Sequence, residues 1–302
     1  MFENIIGNEE VKKNLINIIK TENISHSYIF VGINGIGKFL FAKEFAKAIL
    51  CENENIKPCN TCKACMSFET DNNPDIIIID PKEDTIKTEQ IKNIVSNVLE
   101  KPIQNKKKIY IINNSENMTK EAQNSLLKTL EEPPEYVVII LVTKNDNLLL
   151  NTIKSRCVKI SFNSLTKLQI KEYFTRIGDN INDNMYETFG GSLENAINLK
   201  DEQELYNKIG NSFKNIENLN ELQMLKLKEE LFGEKEDIFF ILDYLNIIFQ
   251  NKAIENIQSS IAYSNCIKII EETKNRIKSN SNYDMTIDNF LFTIWREINK
   301  NG

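Results

Sequence analysis

The first half of the chain alternates short apolar runs with amphipathic stretches. Tyr28–Val31 (YIFV), Ile76–Asp80 (IIIID), Lys108–Ile112 (KIYII), Val137–Val142 (VVIILV) and Val158–Phe162 (VKISF) each read as a strand, and Ile76–Asp80 reads as a buried one. Between them, Phe39–Leu50, Thr85–Leu99 and Thr119–Pro134 carry helical spacing, the last stopped by Pro133 and Pro134. Ahead of the first strand, Asn8–Thr21 sets Val11, Leu15, Ile18 and Ile19 at helical intervals. Strands separated by helices in this way predict an α/β unit, a parallel five-stranded sheet with helices on both faces.

The second half loses the strands. Asn163–Lys200 places Leu165, Ile170 and Tyr173 at roughly helical spacing, with Gly190–Gly191 as the clearest breaker before Leu193–Leu199. From about Asp201 the pattern is wholly helical. Ile238–Phe249 (IFFILDYLNIIF) is apolar almost all round, so it predicts either the centre of a bundle or a helix that also packs against another chain. Leu291, Ile294, Trp295 and Ile298 predict a final helix with one apolar face.

Chemistry enters where the first strand meets the first long helix. Gly32, Gly35, Gly37 and Lys38 stand in the register of a phosphate cradle, in which loop N–H groups, a helix N-terminus and one ammonium surround a triphosphate. The next residue of such a loop carries the hydroxyl that holds Mg²⁺, and here it is Phe39. A phenyl ring offers no oxygen to a hard cation. The third strand ends in Asn113 and Asn114, where a nucleotide motor places the carboxylates for Mg²⁺ and for the attacking water. An amide supplies neither the charge nor the base. Glu116 follows, and the sequence reading sets it too far along to replace them. Two outcomes stay open for ATP itself: Lys38 and the glycines grip phosphates without turnover, or Phe39 plugs the site.

Composition narrows the setting. With 302 residues, 41% hydrophobic and 26% charged, the chain is long enough for two or three globular domains. A net charge of −6 argues against tight autonomous binding to duplex DNA. The basic run Lys106–Lys108 predicts a solvated strand entry, with DNA-backbone contact the lesser reading. The N-terminus lacks the pattern of a signal peptide and the apolar runs are too short for a bilayer, so the expectation is a cytoplasmic chain with no membrane partner. The single histidine, His26, excludes histidine-based metal or triad chemistry and predicts a packed or capping role.

In that compartment six cysteines argue for thiols and metal rather than disulfides. Seven residues separate Cys51 from Cys59, and two separate each of Cys59, Cys62 and Cys65. One tight turn then presents several thiolates to a tetrahedral centre, which suits Zn²⁺. With all four positions filled by protein, the expected zinc is structural; coincidental buried thiols are the bland alternative.

These stretches together resemble the bacterial clamp-loader subunits of the AAA+ class. The matching segments are His26–Lys38 (HSYIFVGINGIGK), the four cysteines, Asn73–Asp80 (NPDIIIID), Ala122–Pro134 (AQNSLLKTLEEPP) and Ser155–Cys157 (SRC). Within the family the chain resembles the delta-prime type of the DNA polymerase III clamp loader more than the gamma/tau motor type. Motor subunits keep the Ser or Thr that Phe39 replaces, the acids that Asn113 and Asn114 replace, and a γ-phosphate-sensing Arg at the position of Glu194. The resemblance implies a non-catalytic subunit whose Arg156 acts in trans, reaching into a neighbour's nucleotide site. It also implies an AAA+ domain over residues 1–163 with a zinc knob at 51–65, a helical lid over 164–203, and a C-terminal helical collar over 204–302. Expected partners are gamma/tau and delta subunits in a hetero-pentamer, the sliding clamp, and primer–template DNA through the complex. Membership would place the chain in a DNA-directed DNA polymerase holoenzyme, although no stretch resembles a polymerase active site. The alternatives are an active ATPase motor of the same family, and a zinc-stabilised nucleic-acid-binding module acting alone.

Overall fold

The computed structural model describes residues 1–81, 85–179, 181, 185–186, 189–200, 203–214, 216–233, 238–255, 260–279 and 281–299. Residues 201 and 202, inside the expected lid and at the expected start of the helical half, and 300–302 of the expected collar lie outside the described residues. Contacts divide the chain into two units, Met1–Asp179 with Gly191–Ala196, and Asn180–Gly190 with Ile197–Gly302.

The first unit is built on five parallel strands: β1 (Ser27–Val31), β2 (Ile76–Ile79), β3 (Lys108–Ile112), β4 (Val137–Thr143) and β5 (Val158–Ser161). Their order across the sheet is β2-β3-β4-β1-β5. The three inner strands are buried at every residue, as their unbroken apolar runs require. The outer two differ. Every residue of β2 is only half-buried, and three of the four in β5 are exposed. Ile76–Asp80 reads as a buried strand from its apolarity alone, but it lies at an edge, where one flank has no neighbouring strand.

Helices α1 (Glu9–Lys20), α2 (Lys38–Leu50), α3 (Lys63–Glu69), α4 (Thr88–Asn97), α5 (Lys120–Glu131), α6 (Asn151–Lys154) and α7 (Lys167–Arg176) connect or flank the strands. Because alternate strand residues point to opposite faces, the sheet has two cores. On one face Ile29, Tyr110, Ile112, Ile139 and Leu141 pack with Ile91 and Ile94 of α4 and Leu126 and Leu130 of α5. On the other, Tyr28 and Phe30 of β1 meet Phe45 of α2, with Tyr28 and Phe45 edge-on at 5.3 Å. Phe162 then joins Phe30 at 5.3 Å and Phe41 at 5.0 Å. Such aromatic pairs add about 0.5–1.5 kcal/mol each beyond the area they bury.

Two buried ionic side chains order the connections. The carboxylate of Asp75, wholly buried, accepts the backbone N–H groups of Ile103 (2.6 Å), Gln104 (2.8 Å) and Asn105 (2.6 Å) just before β3. Replacing Asp75 by alanine orphans all three donors. The expected loss of unfolding free energy is about 2–4 kcal/mol, with a smaller loss for Asp75→Asn, as read by denaturant titration. Lys108, the last residue of the basic run, is buried rather than solvated. Its ammonium donates to the Asn97 carbonyl (2.9 Å) at the end of α4, where the helix dipole favours a cation. Lys107 donates to the Glu135 carbonyl (2.6 Å), so two of the three lysines serve the fold.

The second unit is helical: α8 (Leu193–Leu199) begins within the first unit, and α9 (Gln203–Lys214), α10 (Glu221–Leu231), α11 (Ile238–Glu255), α12 (Ser260–Lys278) and α13 (Tyr283–Asn299) follow. The largely apolar α11 packs against α9 and α12 and leaves a narrow polar stripe, Asp243, Asn246 and Gln250, on its outer side. Its Tyr244 packs on Tyr206 of α9 at 4.3 Å, and its Phe249 stacks on Tyr263 of α12 at 6.0 Å. The indole N–H of Trp295 in α13 donates to the Leu219 carbonyl at 2.7 Å. Among the described residues no helix is long and apolar enough to cross a membrane.

Candidate functional site

The glycine loop leaves β1 at the carboxyl ends of the strands, the edge of an open α/β sheet where ligands bind. Gly35 (φ +75°) and Gly37 (φ +86°) adopt left-handed backbone, and Gly37 leads into α2. A Cβ on Gly35 would stand 2.1 Å from Ser192 Oγ, so only glycine fits there. The loop is engaged by its own chain. Lys38 Nζ donates to the Ile33 carbonyl at 2.7 Å, and the N–H groups of Leu193 (2.9 Å) and Glu194 (3.2 Å) donate to the Gly35 carbonyl. Burial pushes the Lys38 ammonium down to about 8, against the opposing pull of the carboxylates of Glu116 and Glu194.

The charge of Glu116 is thus felt at Lys38, while its bonded partner lies elsewhere. Asn114 takes a left-handed conformation (φ 48°), and the short 3₁₀ turn Ser115–Asn117 that follows returns the chain toward the sheet. The Glu116 carboxylate accepts the Lys144 N–H at 3.3 Å and lies 3.9 Å from its ammonium. Asn113 turns the other way and donates to Asp80 at the end of β2 at 2.9 Å. The Phe39 ring, half-buried, lies under Lys43 Nζ at 5.7 Å.

Cys51, at the end of α2, converges with Cys59, Cys62 and Cys65, and the four sulfurs all lie within 4.8 Å of one another. Four thiolates around one Zn²⁺ at about 2.3 Å stand roughly 3.8 Å apart, so a small closure makes a tetrahedral site. N–H groups already point at the sulfurs: Cys59 to Cys51 at 3.4 Å, Cys62 to Cys59 at 3.3 Å, and Cys65 to Cys62 at 3.4 Å. The Thr61 and Cys62 N–H groups, with the Thr61 hydroxyl, bring the Cys59 thiol down to about 6, whereas burial pushes Cys51 and Cys65 up. Sulfur donors, convergence and N–H support fit a structural Zn²⁺.

Arg156 follows the one-turn helix α6. Its backbone carbonyl accepts the Ser27 hydroxyl (2.8 Å), which ties the segment to β1. Its guanidinium forks between the Thr152 carbonyl (2.8 Å) and Glu131 Oε1 (2.7 Å), the last residue of α5. The side chain stays about one-third exposed. Two of the matching segments, TLEEPP and SRC, are thus joined by one ion pair. None of the recorded polar partners of Arg156 belongs to the glycine loop.

Three contacts that bear on these sites, made by Glu116, Lys47 and Glu131, are not foreseen from the sequence. Glu116 is signalled only by the left-handed tendency of Asn114 before it. Lys47 is signalled by a charge between two buried alanines, Ala46 and Ala48. Glu131 has no local signal, because its partner lies across a strand and two turns.

The family model for the DNA polymerase III delta subunit matches residues 7–166. The gamma/tau subunit of Mycoplasma genitalium is 39% identical over 172 residues, 57% of this chain and 29% of that protein. The delta-prime subunit of Bacillus subtilis is 36% identical over 162 residues, 54% of this chain and 49% of that protein. The matched stretch thus spans about half or less of the length of either relative. A gamma-subunit-related protein from Thermotoga maritima aligns over 94% of this chain and 99% of its own at 20% identity, with a TM-score of 0.48. With more than half of its 302 residues inside that family model, the chain belongs to the DNA polymerase III clamp-loader subunit family.

Proposed function

We propose that the chain is the delta-prime-type subunit of a DNA polymerase III clamp loader, a member that does not hydrolyse ATP and acts on its neighbour's nucleotide through Arg156. It takes part in loading the sliding clamp on primed DNA, in a hetero-pentamer with gamma/tau and delta subunits, in the cytoplasm. Residues 1–163 serve as the AAA+ domain, 164–203 as its lid and 204–302 as the collar that joins the ring. Cys51, Cys59, Cys62 and Cys65 hold a structural Zn²⁺, which supplies a cross-link and no reaction chemistry.

The observation that carries this reading is the state of the phosphate loop. Lys38 is bonded to its own loop through Ile33, and the Gly35 carbonyl is met by the start of α8. At the positions where the motor type keeps a hydroxyl and two carboxylates for Mg²⁺ and water, the chain has a phenyl ring and two amides. Glu194 adds negative charge that is felt at Lys38. Arg156, by contrast, keeps an always-charged fork at a half-open surface.

The placement of Glu116 favours a second reading, an active motor, because it brings one carboxylate toward Lys38. Steady-state hydrolysis separates the two. The isolated chain with Mg·ATP is expected to show no turnover above that of Lys38→Ala. Turnover that disappears in Lys38→Ala supports the motor instead.

A further inference from the structure

Lys47 is an anomaly of the first unit. It lies on α2, 5% exposed, between the fully buried Ala46 and Ala48. A buried ammonium is tolerated only where its donors are met. Both recorded partners belong to the cysteine insertion: Asn60 Oδ1 at 2.6 Å, and Glu69 at the end of α3 in a short ionic bond.

Those two partners flank two of the cysteines, Cys62 and Cys65. Asn60 stands between Cys59 and Cys62 in left-handed backbone (φ 60°), in the turn that precedes α3. Glu69 closes the seven-residue α3 that carries Cys65. A single cation on α2 therefore holds both the turn between Cys59 and Cys62 and the far end of the helix that presents Cys65. Short insertions have little core of their own, and the geometry of a metal site depends on the groups that orient its ligands.

We propose that Lys47 is the positioning residue of the cysteine centre, anchoring the Asn60 corner and α3 to α2 so that the four sulfurs are aimed at one metal ion. The inference rests on the reading of the tetrad as a metal site, and the experiment distinguishes failure of one from failure of the other. The full chain is stripped of metal under reducing conditions and titrated with Co²⁺, then with Zn²⁺ against a chromophoric chelator. Native protein taking up no equivalent of either metal removes the metal reading itself. With native protein binding one equivalent, Lys47→Met is expected to weaken binding about 10- to 100-fold. It is also expected to speed release to the chelator and to alter the tetrathiolate Co²⁺ spectrum.

Lys47→Arg, which keeps a cation and donors, restores part of the affinity. If Lys47→Met does not fold, the double variant Asn60→Ala with Glu69→Ala, two exposed positions, removes the same bonds from the other side and is expected to weaken metal binding in the same direction. Unchanged affinity and spectrum in the folded variant overturn the proposal. So does a fall in Tm that is equal with and without metal, because a purely structural lysine gives that result.

Discussion

Arg156→Ala is expected to lower the ATPase of a motor-type neighbour on the order of 10³-fold in a reconstituted loader, with the complex still assembling. The magnitude is that of arginine fingers acting in trans, which meet charge as it develops on the transferred phosphoryl group. Arg156→Lys recovers little, because a point charge does not replace a planar fork. Size-exclusion chromatography checks assembly and phosphate release checks the rate; an intact complex with an unchanged rate removes the finger assignment.

The ion pair with Glu131 refines this expectation. Both partners are substantially exposed, at 33% and 49%, and such pairs contribute about 1 kcal/mol or less. Release of the guanidinium from Glu131 is therefore expected to cost little. Glu131→Gln is expected to change the stimulated rate by less than about fivefold, far less than loss of Arg156.

Removing metal from the cysteine tetrad is expected to unfold residues 51–69 and leave the sheet standing. Structural zinc contributes on the order of 10 kcal/mol to the segment that binds it. Nothing in the recorded core between the sheet, α4 and α5 comes from that segment. Hydrogen exchange with and without a strong chelator is expected to show lost protection across the insertion and α3. The inner strands β1, β3 and β4 keep theirs. Unchanged exchange throughout 51–69 removes the structural role. Strong local loss is also expected to spread to Asn73, whose side chain donates to the Ala64 carbonyl at 3.3 Å and links the insertion to the start of β2.

The comparison between pattern and structure is sharpest at the strands. The inner three were legible because a strand covered on both faces is written as an unbroken apolar run, and VVIILV has one reading. IIII of β2 looks the same but lies at an edge, since the order of strands in a sheet is decided by which helices cross where and leaves no mark within the strand itself. The basic run before β3 failed for a related reason. Lys108 looks solvated until the end of α4 offers it carbonyls.

Determined by the sequence alone were the features completed within a few consecutive residues: the strand, glycine turn and helix from Tyr28 to Leu50, and the cysteine spacing from Cys51 to Cys65. Their geometry follows from backbone preference and ligand count, which are local. Only the tertiary structure decided that Lys38 bonds back to Ile33, that Glu116 and Glu194 act on it, that Arg156 meets Glu131, and that Lys47 grips the cysteine insertion. Those contacts join segments far apart along the chain. A charged side chain chooses among such partners only after the sheet and helices have brought them within reach and excluded water from between them.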